Sequence, residues 1–271
     1  MHGRVLIVAG SDSGGGAGIQ ADIKTVTALG GYAMTAITAL TAQTTEGVFG
    51  IHDVPTDFVV KQMRLVLGDL GADCIKIGML HRADIIEAVC SVLAEAAGGI
   101  PVVLDPVMIA KGGHSLLNAD AAALLIRRAV PMATVLTPNL PEAVALAGVD
   151  ENMERAALAS ALLALGPRAV LLKGGHAPGS MVVDMLADES GGVETFESPR
   201  IATSSTHGTG CTLASAIAVG VAQGLSVREA VVRARAYVLE AIRTAPGFGR
   251  GHGPLNHVHT ICPPMRSSAC G

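Results

Sequence analysis

Short apolar runs along this chain keep stopping at a glycine or small polar residue and giving way to helical periodicity, and that recurrence restricts the fold more than any single motif. Residues 4–10 end in a run of Gly and Ser, after which Ile19, Ile23, Val26 and Leu29 recur at helical spacing. Residues 32–42, 74–80, 101–108, 133–137 and 169–173 read as further strands. The pattern predicts helices near 56–70, 84–97, 118–129, 155–165, 210–223 and 226–245, and one entered at Asn139 and Glu142. Residues 181–188 and 193–197 look like an antiparallel pair around a Glu-Ser-Gly-Gly turn. At least five strand–helix alternations imply an α/β fold: three αβα layers, with helices on both faces of a mostly parallel sheet.

In such a sheet the residues just past the strands share one edge, which is where open α/β folds bind ligands. Asp12, Gln43, Asp105, Asn139, Glu142, Lys173 and Cys211 all stand just beyond a strand or at a helix start, as does Asp22. The stretch 203–216 is the most suggestive of them. Gly208 and Gly210 lack a Cβ, so successive amides around Thr209 can converge on one anion, and the helix that follows adds its own positive end. Cys211 at that helix start would have its thiolate favoured by the same field. The plainer alternative is a Thr-capped helix with a small buried Cys. Asp22 also fits a dipole-stabilising place in the first turns of its helix, and Asn139 with Glu142 fits a capping box.

Composition narrows the chemistry. The chain has 271 residues, is half hydrophobic and carries a net charge of −4, so it lacks the basic footprint of a nucleic-acid or anionic-lipid binder. The uncharged run 25–45 contains seven threonines and does not read as a membrane span. Five cysteines with no CxxC pair suggest free thiols in a reducing cytoplasm. With no Trp, two Tyr and four Phe, a flat ligand would be sandwiched by aliphatic and Met side chains. A dinucleotide fingerprint on Gly14 and Gly16 fails because position 19 is Ile, and no Walker P-loop occurs.

The surviving set matches the needs of phosphoryl transfer: Lys173 for phosphate charge, Asp105, Asn139 and Glu142 for ATP-bound Mg²⁺, met by Asp105 and Glu142 through water. Residues 208–210 form the amide cradle, and Cys211 is the base. Gln43 can donate and accept at once. A Cys–His hydrolase on Cys211 and His207 lacks an evident orienting group. Residues 1–248 read as one domain and 249–271 as a mobile Gly/Pro-rich tail, with His252, His257 and His259 as tail polarity rather than metal ligands.

Six segments in order (9–22, 39–43, 105–108, 137–142, 171–176 and 207–212) carry a resemblance to the hydroxymethylpyrimidine/phosphomethylpyrimidine kinases of thiamine biosynthesis, within the ribokinase-like superfamily. Most ribokinase relatives have Asp where Cys211 stands. The resemblance implies two successive ATP-dependent phosphorylations of 4-amino-5-hydroxymethyl-2-methylpyrimidine, first to the monophosphate and then to the pyrophosphate. It also implies a pyrimidine held by Gln43 and Asp22 and packed near Gly10, Met79 and Val107, in a cytoplasmic homodimer. The rivals are a pyridoxal-type vitamin kinase and a non-catalytic pyrimidine-binding regulator.

Overall fold

The computed structural model describes residues 1–108, 117, 119–175 and 179–261. It contains β1 (Arg4–Asp12), α1 (Gly18–Ala28), β2 (Tyr32–Thr44), β3 (Gly47–Asp53), α2 (Thr56–Asp69), β4 (Cys74–Ile77), α3 (Ala83–Ala96) and β5 (Val102–Leu104). After these come α4 (Ala119–Leu124), β6 (Val135–Leu136), α5 (Leu140–Ala147), α6 (Arg155–Leu163), β7 (Ala169–Leu172), β8 (Met181–Asp188), β9 (Val193–Pro199), α7 (Thr209–Ala222) and α8 (Val227–Arg243). The sheet order is β3-β2-β1-β4-β5-β6-β7-β8-β9. Six central strands, β2 to β7 in that order, pair in parallel, while β3, β8 and β9 are antiparallel edges.

Helices cover both faces, as the alternation predicts. Leu6, Val8, Ile75, Ile77, Val102, Leu104, Val170 and Leu172 point into one core with the buried sides of α2, α3, α5 and α6. Val5, Ile7, Ala9, Cys74, Val103, Ala169 and Leu171 point into the other, against α1, α7 and α8. Because side chains alternate along a strand, Lys76 shares the second face with Cys74. Sequence order reverses across β1, whose neighbours are β2 and β4, and this switch point opens the carboxyl edge of the sheet.

Some local expectations change. β3 is an additional strand, hydrogen-bonded back onto β2 through a turn at Thr45 and Glu46. α2 has Pro55 at its N-cap with no side-chain cap, and the Thr56 hydroxyl donates to Asp84. The helix read from 118 is described from Ala119, Asn118 lying outside the described residues, and it runs on through a π-helical turn, Leu125–Ala129.

The tail boundary at 248 is also corrected: residues 249–261 pack on the body. The His252 amide donates to the Thr45 carbonyl, the His207 amide to the Gly253 carbonyl and the Asn256 amide to the Ala241 carbonyl. His257 is buried, with Nδ1 3.3 Å from both the Thr25 and Tyr237 hydroxyls. Tail polarity in the sequence is thus interior hydrogen bonding in the fold, and burial pushes the His257 pKa down to about 4. His259 lies over Tyr237, ring centroids 4.6 Å apart. The remainder of the expected tail, residues 262–271, lies outside the described residues.

Candidate active site

The carboxyl edge holds a cleft of about 930 Å³ lined by Gly10, Gln43, Met79, Val107, Asp105, Asn139, Glu142, Lys173 and the 208–211 segment. Every site residue read from the sequence is therefore brought to one cavity, with the exception of Asp22.

The cradle forms because Gly208 is the N-cap of α7 at φ 79°, a conformation that side chains rarely adopt. A Cβ there would also strike the Gly16 carbonyl oxygen, so the loop before α1 and the loop before α7 touch backbone to backbone. No side chain caps α7, so the Thr-capped alternative does not hold, and the Thr209 amide donates to the Thr206 carbonyl at 3.4 Å. Asp12 anchors the facing loop. Its carboxylate accepts from the Gly14, Gly16 and Ala17 amides at 2.7, 2.9 and 2.8 Å, and its Oδ2 lies 2.9 Å from His207 Nε2. Burial would raise its pKa, but the His207 and Ala17 hydrogen bonds outweigh it and hold the carboxyl down to about 2.

Across the cleft, Lys173 Nζ sits 2.8 Å from Asp105 Oδ1 and 3.9 Å from Glu142 Oε2. Burial disfavours the ammonium, yet Asp105 and Glu142 reverse this and raise the Lys173 pKa. The position of a Cβ on Gly210 would be 3.4 Å from both Asp105 Oδ2 and Lys173 Nζ, so the cradle opens directly onto this pair. Asn139 and Glu142 form the anticipated capping box of α5, the Asn139 amide donating to Glu142 Oε2 at 2.8 Å and the Glu142 amide to Asn139 Oδ1 at 2.9 Å. Both still line the cleft, so the capping and ligand-facing readings hold together. Burial raises the Glu142 pKa, with Lys173 opposing. Among the described residues no group of three or more His, Cys, Asp or Glu converges on one point. Two carboxylates beside a lysine suit a hard cation that takes its other ligands from water and phosphate oxygens.

On the remaining wall, Met79 closes against Gly10, where a Cβ would meet the Met79 methyl at 2.6 Å. The Gln43 backbone is held by Ser13, whose hydroxyl donates to the main-chain carbonyl at 3.0 Å and accepts from the main-chain N–H at 2.9 Å.

Two expectations are overturned. Asp22 is fully buried, its Oδ2 2.9 Å from Lys76 Nζ and its Oδ1 accepting from the Ser215 hydroxyl at 2.7 Å, so it has no edge to offer a ring. It lies in the second turn of α1, whose first turn holds no acidic residue. The helix field does not leave Cys211 ionised: burial pushes its thiol up to about 12, with Lys76 opposing and Asp22 and Asp105 adding to the rise.

The sequence reading missed Lys76, Ser215, and the Arg235–Asp184 pair at 2.7 Å, in which the other Asp184 oxygen accepts the Gly174 amide beside Lys173. A lysine inside an apolar strand was the legible signal, since a charge at that position must be paired.

A family model described as phosphomethylpyrimidine kinase matches residues 12–256. A thiamine biosynthesis bifunctional protein ThiED of Geobacter sulfurreducens is 52% identical over 95% of this chain, which spans only about half (52%) of that protein. The hydroxymethylpyrimidine/phosphomethylpyrimidine kinase of Streptomyces coelicolor is 47% identical over 93% of both chains. Among solved structures, a Bacillus subtilis pyridoxal kinase in an ADP complex superposes with a TM-score of 0.86 at 34% identity, covering 95% of this chain and 98% of that one.

Proposed function

Because the chain belongs to the phosphomethylpyrimidine kinase family, we propose that it transfers the γ-phosphoryl group of ATP to 4-amino-5-hydroxymethyl-2-methylpyrimidine and then to the resulting monophosphate. The observation that carries this reading is the cradle at 208–211 opening onto Lys173 and Asp105, opposite Gln43 and Met79 in the same cleft. The ring would stack on Met79 and Val107, with its amino edge against Gln43. Lys173 would leave Asp105 for phosphate oxygens. Asp105 and Glu142 would hold Mg²⁺ through water, where the cation offsets phosphate charge.

In the first step the substrate hydroxyl oxygen bonds to the γ-phosphorus, the bond from that phosphorus to the bridging oxygen breaks, and ADP leaves with the electron pair. The hydroxyl proton passes to the Cys211 sulfur. A loose transition state needs little nucleophilic push, so a small thiolate fraction suffices. The cradle amides stabilise charge on the migrating group. In the second step the acceptor is an ionised phosphate, for which no base is needed. Cys211→Ala is therefore expected to lower kcat of the first step by about 10² or more while changing the second several-fold at most. Equal losses in separate assays of the two steps would remove the base role.

The likeness to pyridoxal kinase favours one second reading, a vitamin kinase acting on pyridoxal. Side-by-side turnover of the two alcohols separates them: a higher kcat/KM for pyridoxal would replace the pyrimidine reading. Exposed Leu40, Phe49 and Ile51 on the β2–β3 edge support the homodimer. No helix among the described residues is long and apolar enough to cross a membrane, which agrees with a cytoplasmic enzyme.

A further inference from the structure

Behind the Cys211 sulfur lies a sealed polar cluster that the transfer step does not touch. Helices α1 and α7 meet there in two rungs, each set by i, i+4 spacing. On the first, Gly18 of α1 faces Cys211 of α7. On the second, one turn along both helices, the Ser215 hydroxyl donates to Asp22 Oδ1 at 2.7 Å. Lys76 enters from β4 below, with Nζ 2.9 Å from Asp22 Oδ2, and neither side chain of the pair is exposed to solvent. A Cβ on Gly78, beside the cleft residue Met79, would come within 2.9 Å of Lys76 Nζ, so the ammonium lies just beneath the cleft floor. An apolar pair of similar volume would fill this space at no desolvation cost, which makes a retained ion pair next to the reacting sulfur a candidate for function.

We propose that the Lys76–Asp22 pair, tied to α7 through Ser215, sets the charge the Cys211 sulfur can carry. Lys76 is thereby a positioning residue for proton acceptance in the first phosphorylation, and this rests on the kinase reading above. Four charged groups bear on the sulfur: Asp22 from α1, Lys76 from β4, Asp105 after β5 and Lys173 after β7. The last two line the cleft and change partners when a ligand enters. The first two are walled off and act at all times.

The test is the rate of iodoacetamide modification of Cys211, read on its own peptide by mass spectrometry across alkaline pH, in the full chain and in Lys76→Met, Asp22→Asn and the double variant. Tenfold in thiolate corresponds to one pH unit, and a fixed-pH rate change of about tenfold is expected, downward in Lys76→Met and upward in Asp22→Asn. The double variant should return towards the unmodified protein. A purely structural pair predicts shifts of the same sign or none, and either result overturns the proposal. If Lys76→Met does not fold, Asp22→Asn alone decides: faster modification supports the proposal and an unchanged rate refutes it. The alkylation readout needs no turnover. If it moves while the pH profile of the first phosphorylation does not, the base role of Cys211 fails and the electrostatic coupling stands.

Discussion

Two lysine–aspartate pairs of nearly equal length, 2.9 Å for Lys76–Asp22 and 2.8 Å for Lys173–Asp105, sit on the same face of one sheet and do opposite things. The first is sealed, with no solvent exposure on either side chain. In the second, Lys173 keeps 14% of its side chain exposed to the cleft. The sealed pair has no water to replace a lost partner, so its charges are fixed parts of the fold. On the proposed reading, the open pair exchanges Asp105 for a phosphate oxygen. Like chemistry at nearly equal distance would then give a constant field in one place and a ligand switch in the other, with access to solvent as the difference between them.

The strongest way to break this contrast is to remove one partner of the sealed pair. Lys76→Met should cost about 3–5 kcal/mol in urea unfolding, because it strands a buried carboxylate, and Lys76→Met/Asp22→Asn should recover much of that loss. A cost below about 1 kcal/mol would show that water reaches the site.

His257 extends the comparison to a buried group that stays neutral. Its pKa, 6.5 in the unfolded chain, is depressed to about 4 in the fold by burial first and then by Lys24. The unfolded state consequently binds a proton between those values while the native state does not, and stability falls as pH drops from about 6.5 to about 4. That contribution is up to about 3 kcal/mol. His257→Gln should flatten this part of the pH–stability curve measured by thermal unfolding; an unchanged slope would mean the ring is solvated.

The smallest effect is expected at the open pair. Lys173→Ala should lower kcat/KM for ATP by roughly 10- to 100-fold, the loss of a charge-assisted hydrogen bond, with KM for the pyrimidine unchanged. Its stability cost should be well below that of Lys76→Met, and equal costs would erase the distinction between the two pairs.

Most of the site was legible because parallel α/β topology sends the ends of the parallel strands to one edge, so Gln43, Asp105, Asn139, Lys173 and Cys211 could be grouped from their places after strands or at helix starts. The sequence signal failed where contact depends on packing between helices. Asp22 reads as a polar residue near a helix start, yet one further turn of α1 carries it into the interface with α7. The strap from 249 to 261 reads as a Gly- and Pro-rich tail because its hydrogen bonds run to distant backbone at Thr45, Ser204 and Ala241. No local periodicity records such partners.

The sequence by itself determined the layer order, the edge on which the polar residues meet and the glycines that shape the cradle, since all three follow from short-range periodicity and backbone sterics. Only the tertiary structure decided which charges are sealed and which are open. It thereby decided that Asp22 is sealed in an ion pair with Lys76 instead of touching a ring, and that the thiol is not ionised by its helix alone. Burial is a property of the whole packed molecule, and the energy of a charge depends on burial more steeply than on residue type.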